Sequence, residues 1–289
     1  MKLRVADITL TIASETEELS LEYSPCHEKF VEEANSGQYD NDARGEELLL
    51  QIEDTKDTPR SQLTKLLCEN EIWQLFLDNE ENLVFTQPKQ IPQRWIVIDP
   101  EFHTGKIIGD FSGYGQTEIY PLQYIDIVIF SNWLAKFGDL ILHASGIAYE
   151  GEGYCFLGDS GAGKSTLVRD LSENPRITIL GEDQVVLRKM NGQFVIFGTP
   201  WHETPEMCSP MGVPLRKVFF LDRNAPQTIT PVREFDAVVK ILQTAFYPIY
   251  RPEAVERVME KLSSLAGQAG FYTLAYERGT DVLQEILNA

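Results

Sequence analysis

The run Tyr154-Cys155-Phe156-Leu157-Gly158-Asp159-Ser160-Gly161-Ala162-Gly163-Lys164-Ser165-Thr166-Leu167 constrains the fold more than any other stretch of the chain. It carries the spacing G-x-x-x-x-G-K-[ST], which cradles phosphate only between a strand and a helix. Both flanks are present. Tyr154 to Leu157 are apolar and read as a buried strand, and Leu167, Val168 and Leu171 recur at helical spacing. Glycines at Gly158, Gly161 and Gly163 let backbone N–H groups, together with those of Asp159, Ser160, Ala162 and Thr166, turn toward phosphate oxygens. The N-terminus of the following helix adds partial positive charge. Lys164 is expected to reach the β- and γ-phosphates, and the Ser165 hydroxyl to ligate Mg²⁺.

A phosphate loop points to a nucleotide but not to a reaction. An acidic pair that could complete a site, Glu182 and Asp183, lies 18 and 19 residues after Lys164, at the end of the run Thr178 to Leu180. A strand that ends in two carboxylates beside the loop can hold Mg²⁺ and accept a proton from an attacking hydroxyl. Gly-Glu-Asp is also ordinary turn composition, and only the neighbouring loop favours the functional reading. His143 lies on the preceding apolar strand, in Leu142-His143-Ala144-Ser145-Gly146. Taken alone, a histidine there is more often a satisfied core residue than a catalytic one. The turn Gly198-Thr199-Pro200-Trp201-His202-Glu203 either anchors structure through Trp201 or supplies Glu203 as a second metal ligand. Arg216, Lys217 and Arg223 could touch phosphate, but a solvated strand end is the commoner reason for such residues.

Three features agree in spacing: His143, a loop that begins 15 residues later as Gly158-Asp159-Ser160-Gly161-Ala162-Gly163-Lys164-Ser165, and the acidic pair soon after the loop helix. Together they resemble the C-terminal domain of the HPr kinase/phosphorylase family, over roughly residues 135–245. The resemblance implies an α/β (α+β) P-loop kinase domain of the type shared with phosphoenolpyruvate carboxykinases. It implies ATP and Mg²⁺ as cofactors and a serine hydroxyl on a protein or peptide as acceptor. Carried over residue by residue, it makes His143, Lys164, Glu182 and Asp183 catalytic, with Ser165 and Asp183 at the metal. Glu182 stands where the family has the first of two Asp residues, which leaves open which carboxylate is the base. The glycine-rich L-E-I-R-G-x-G run is absent, so phosphorolysis is not implied. Two other readings stay open: a small-molecule kinase on the same fold, and a non-catalytic nucleotide-binding regulator. A transporter-type ATPase is disfavoured, because no apolar strand ending in Asp-Glu follows Leu262 to Gln268.

Charge narrows the partners. The net charge is −19, and residues 1–100 hold 21 Asp/Glu against 9 Lys/Arg. Such acidity disfavours nucleic acid and anionic membrane surfaces. Oligomeric state is left open, a homo-oligomer included. The cysteines Cys26, Cys68, Cys155 and Cys208 show no C-x-x-C spacing, which fits a reducing cytoplasm. No run approaches the roughly 18 apolar residues of a membrane span, and the N-terminus lacks a signal-type core.

Two domains are expected: residues 1–115, a mainly β module, and 116–289, the nucleotide-binding domain. In the first, strands are expected at 3–13, 48–52, 72–77, 83–86, 94–98 and 105–108, with a helical turn near 30–33 and a loop at 53–63. In the second, Pro121 opens a helix running to Phe137, stopped by Gly138. Strands follow at 140–149, 154–157, 177–180, 184–189, 193–197, 216–221 and 271–275. Helices are expected at 164–173, 233–244, 252–265 and 281–287.

Overall fold

The computed structural model describes residues 1–14, 21–31, 46–90, 93–112, 120–223, 227–277 and 282–289. Its architecture is mixed α/β, rich in sheet and with few helices. Among the described residues the chain falls into two compact units, one up to Trp133 and one from Leu134 onward.

The first unit is built on one eight-stranded sheet. Its strands are β1 (Lys2–Val5), β2 (Ile8–Ser14), β3 (Glu46–Asp54), β4 (Leu63–Glu69), β5 (Gln74–Asp78), β6 (Leu83–Thr86), β7 (Trp95–Ile98) and β8 (Thr104–Gly109), in the spatial order β1-β2-β3-β8-β7-β6-β5-β4. Alternation in β2 is strict, with Ile8, Leu10 and Ile12 buried, as a half-buried strand requires. The loop expected to run to residue 63 gives way at once to β4. That edge strand has no apolar alternation to announce it, and most of its side chains are exposed or half-buried. A short helix, α1 (Pro25–Glu28), is capped by Ser24. Of the helical turn expected near 30–33, Phe30 closes the turn that follows α1 and Val31 forms an isolated bridge with Leu3, while residues 32 and 33 lie outside the described residues.

Helix α2 (Asp126–Lys136) runs across the division between the units. It begins five residues later than Pro121 suggests. Tyr124 takes φ 61°, a left-handed conformation no α-helix accommodates, so residues 121–125 form turns instead.

The second unit contains β9 (Leu140–Tyr149), β10 (Glu152–Leu157), α3 (Lys164–Leu171), β11 (Ile177–Gly181), β12 (Gln184–Met190), β13 (Gln193–Phe197), β14 (Gly212–Leu221), β15 (Thr228–Pro231), α4 (Glu234–Thr244), β16 (Ala245–Phe246), α5 (Pro252–Ser263), β17 (Gly270–Ala275) and α6 (Leu283–Asn288). Neither β15 nor the two-residue β16 is foreshadowed by the sequence pattern. Of the helix expected at 281–287, residue 281 lies outside the described residues. Strand β10 pairs antiparallel with β9 and parallel with β14, and β14 pairs parallel with β17. Strand β9 also pairs with β12, β12 with β13, and β13 with β14, so hydrogen bonding closes a ring through β10.

Strand β10 shows why this region is a buried sheet. Cys155 and Leu157 face one apolar cluster, covered by Ala237 and Ile241 of α4 and Ala254, Val258 and Leu262 of α5. Tyr154 and Phe156 face another, covered by Leu167, Val168 and Leu171 of α3 and Ile286 of α6. A continuous apolar run with both faces packed is the signature of a strand between two helical layers. Burial pushes the Cys155 thiol up to about 12, so it packs as a small apolar side chain. None of the four cysteines is in a disulfide.

One ionic cluster holds the far side of this unit. The Asp139 carboxylate accepts from Arg188 Nε at 3.0 Å, from Lys261 Nζ and from the Lys189 backbone N–H at 3.1 Å. It is only 1% exposed, and its two cations are 13% and 19% exposed. Removing the anion takes a buried carboxylate from two largely buried cations. Asp139→Ala is therefore expected to lower stability by about 3–5 kcal/mol, read as a fall in urea midpoint at constant m-value.

Candidate active site

The site is built where β10 hands the chain to α3. Ala162 N–H bonds back to Asp159 O at 2.9 Å, and the loop closes at Gly163, which holds φ 100° at the N-cap of α3. Only glycine takes that backbone conformation at little cost. A side chain there would also crowd Tyr276 Oη at 3.2 Å and Arg223 Nη2 at 3.3 Å. Asp159, Ser160 and Gly161 are exposed, while Gly158, Ala162, Ser165 and Thr166 are half-buried around the opening.

Lys164 is the first residue of α3 and is buried. Its ammonium donates to Gly158 O at 2.7 Å and lies 3.4 Å from Asp159 O. It also lies 3.2 Å from His143 Nε2. Burial lowers the Lys164 pKa, opposed by the charges of Asp183 and Asp159. On the other side of the imidazole, His143 Nδ1 is 3.2 Å from Asp183 Oδ1. An ammonium can only donate, so Nε2 accepts and the ring proton sits on Nδ1, facing the carboxylate. Lys164, His143 and Asp183 thus form one polar chain.

Sheet register explains this convergence of three distant residues. Strand β9 is the shared neighbour of β10 and β12. Leu157, the last residue before the loop, pairs with Ala144, and Gln184, the first residue of β12, pairs with His143. Ala144 N–H also bonds to Asp183 O at 3.0 Å. His143 is therefore set between the loop and the acidic turn by main-chain pairing alone.

The two carboxylates divide. The Glu182 side chain is 8% exposed and pairs with Arg169 Nη2 of α3 at 3.0 Å, and its carbonyl accepts from Ser145 Oγ. Asp183 is 49% exposed and faces His143. Glu182 is buried against Arg169, whereas Asp183 is open to an incoming group. Glu203 is exposed, and among the described residues no group of three or more His, Cys, Asp or Glu that could hold a metal includes it.

His202, in the same turn as Glu203, packs against the site. Its Nε2 lies 3.1 Å from Thr199 Oγ1, whose one hydrogen goes to Gln184 O at 2.8 Å. The His202 proton therefore sits on Nε2. A Cβ on Gly181 would approach that nitrogen to 2.7 Å, so this close contact requires glycine. Burial pushes the His202 pKa down to about 4, against nearby Asp183, which favours the charged ring. The unfolded chain protonates near pH 6.5 and the folded one only near 4. Stability is then greatest above 6.5 and falls as pH drops toward 4. The expected loss between pH 7 and pH 5 is about 2 kcal/mol. Urea titrations at the two pH values check this, and His202→Gln should show a decrement smaller by that amount.

Arg216 and Lys217 lie in the middle of β14, level with Tyr154 of β10 and away from the loop. Arg216 is 3.7 Å from Glu152, and Lys217 Nζ donates to Ile286 O and Leu287 O at the end of α6. Lys217 thus terminates a helix, which explains its burial. Arg223, by contrast, lies beside Gly163. Tyr276 donates to Gly163 O at 3.0 Å. Sequence reading missed Tyr276, Arg169 and the His202–Thr199 pair. Only the C-terminal end of the expected 271–275 strand hinted at the first.

The donor set suits a polyphosphate with a hard divalent cation. Lys164 offers three protons, the loop offers backbone N–H groups, and Ser165 and Asp183 offer oxygen. No group of three or more His, Cys, Asp or Glu assembles among the described residues. Mg²⁺ does not need one, because it is held by one or two side chains together with substrate phosphates.

No family model matches the chain, and no curated protein matches it. Among solved structures, the HPr(Ser) kinase/phosphatase from Coxiella burnetii is similar over 51% of this chain and 86% of that one, at 12% identity and a TM-score of 0.29. This is a weak structural similarity over half the chain and carries no inference about chemistry. Among the described residues, no helix is long and apolar enough to cross a membrane.

Proposed function

We propose that the second unit is an ATP- and Mg²⁺-dependent kinase that phosphorylates a serine hydroxyl on a protein or peptide. The observation that carries this reading is the chain Lys164–His143–Asp183, which joins the glycine loop to an exposed carboxylate. Phosphoryl transfer needs positioning and charge neutralisation more than covalent help from the protein.

In this reading Lys164 leaves its contact with Gly158 O and donates to the phosphates bound over the loop. Asp183 accepts the hydroxyl proton as the acceptor oxygen bonds to the γ-phosphorus and the bridging oxygen leaves. His143 holds Asp183 in place through Nδ1–H. Glu182 stays paired with Arg169 and fixes the acidic turn to α3. Mg²⁺, held by Ser165 and Asp183, would draw charge from the transferring phosphate.

The test is phosphoproteomics of the source cell's lysate after incubation with the protein and ATP–Mg²⁺, compared with Lys164→Ala. New phosphoserine sites present only with the wild type support the reading. Phosphorylated metabolites without any phosphorylated polypeptide would move it to a small-molecule kinase.

A further inference from the structure

We infer that a cavity on the other flank of the glycine loop holds the nucleoside end of the nucleotide, with Tyr276 as its wall. The inference rests on the phosphotransferase reading and adds a second, separate subsite to it.

The loop has two flanks because β10 has two neighbours. His143 and Asp183 reach the loop from β9 and from the turn before β12. On the other flank lie β14 and β17, parallel to β10, so their C-terminal ends emerge on the same edge as the loop. Ligands of parallel sheets bind outside that edge. A cavity of about 260 Å³ opens there, lined by Gly163, Thr166, Leu221, Arg223, Leu274 and Tyr276 among others. Phosphates lying across the loop therefore have their reacting end at His143 and Asp183. Their opposite end, where a nucleoside is attached, faces the cavity.

The lining suits that end. Leu274 is fully buried and Leu221 half-buried beside it, which gives an apolar floor. Tyr276 is tethered by its hydroxyl to Gly163 O, so its ring is fixed relative to the loop before any ligand arrives. An aromatic wall over an apolar floor favours a flat heterocycle. Arg223 is exposed, with its guanidinium beside Gly163, where it meets the phosphate that adjoins the sugar. The volume suits one base with its sugar and falls below the roughly 300–1,000 Å³ of larger ligand sites. The opposite flank, by contrast, carries the polar chain of Lys164, His143 and Asp183.

The experiment compares ATP with inorganic tripolyphosphate, both with Mg²⁺, by equilibrium binding to the wild type, Tyr276→Ala and Tyr276→Phe. Tripolyphosphate has the phosphates and no nucleoside. The wild type is expected to bind ATP at least about tenfold more tightly than tripolyphosphate. Tyr276→Ala should lose roughly tenfold for ATP and keep its tripolyphosphate affinity, which also shows that the loop is intact. Tyr276→Phe keeps the ring and should keep most of the ATP affinity. Equal wild-type affinity for the two ligands, or equal losses for both in Tyr276→Ala, overturns the nucleoside subsite and leaves the phosphotransferase reading standing. A wild type that binds neither ligand overturns both.

Discussion

Lys164→Ala is expected to lower phosphoryl transfer by on the order of a thousandfold or more, while the protein stays folded. Among the described residues the ammonium is the buried cation bonded to the loop carbonyls, where negative charge builds on the transferring group. The effect on folding is small because two terms oppose each other. Burial disfavours the Lys164 charge, and removing the charge relieves that cost. Against this, Gly158 O and His143 Nε2 lose their donor. Single-turnover transfer measured beside a thermal melt separates the two. A rate loss accompanied by an unchanged midpoint places Lys164 in the chemistry. A large fall in midpoint would make it a structural residue.

Asp183→Asn is expected to bind ATP within a few-fold of the wild type and to transfer phosphate about 10²–10⁴-fold more slowly. An amide can still accept the His143 Nδ1–H through its oxygen, so the polar chain keeps its shape. It cannot take up a proton from an acceptor hydroxyl. Glu182→Gln provides the contrast. It weakens the contact with Arg169 on α3 and leaves the exposed carboxylate in place, so its transfer rate should fall much less. Comparing kcat and ATP affinity for the two variants tests the division of labour between adjacent acids. Equal losses in both would mean that the turn acts as a unit and that neither is the sole base.

Much of this arrangement was legible in the sequence, for identifiable reasons. The strand–loop–helix at 154–171 is local: an apolar run, glycines at fixed spacing and helical periodicity specify it without help from the rest of the chain. The hairpin turn at Asn191-Gly192 is local as well, with φ 50° and 84° at its two residues. His143 and Asp183 were singled out, but nothing in their neighbours says which groups face each other. That depends on β9 pairing with both β10 and β12, a non-local register. Glu182 and Asp183 looked equivalent in sequence and differ only because Arg169 projects from α3 toward one of them. Lys217 and Arg223 lie six residues apart and looked alike. Lys217 lies mid-strand in β14 and Arg223 just past its C-terminal end, so one caps α6 and the other borders the loop. Strands β4 and β15 were missed because each lies at a sheet edge, where half-exposed side chains show no apolar alternation.

The central claim is that the γ-phosphate of ATP passes to a serine beside Asp183. It is tested most directly by following γ-labelled ATP in the presence of Mg²⁺ and lysate polypeptides, with phosphoamino-acid analysis of the products, for the wild type and Asp183→Asn. The account predicts phosphoserine with the wild type and little or none with Asp183→Asn, although both bind ATP. Label released only as inorganic phosphate, or phosphoserine formed at the wild-type rate by Asp183→Asn, would contradict it.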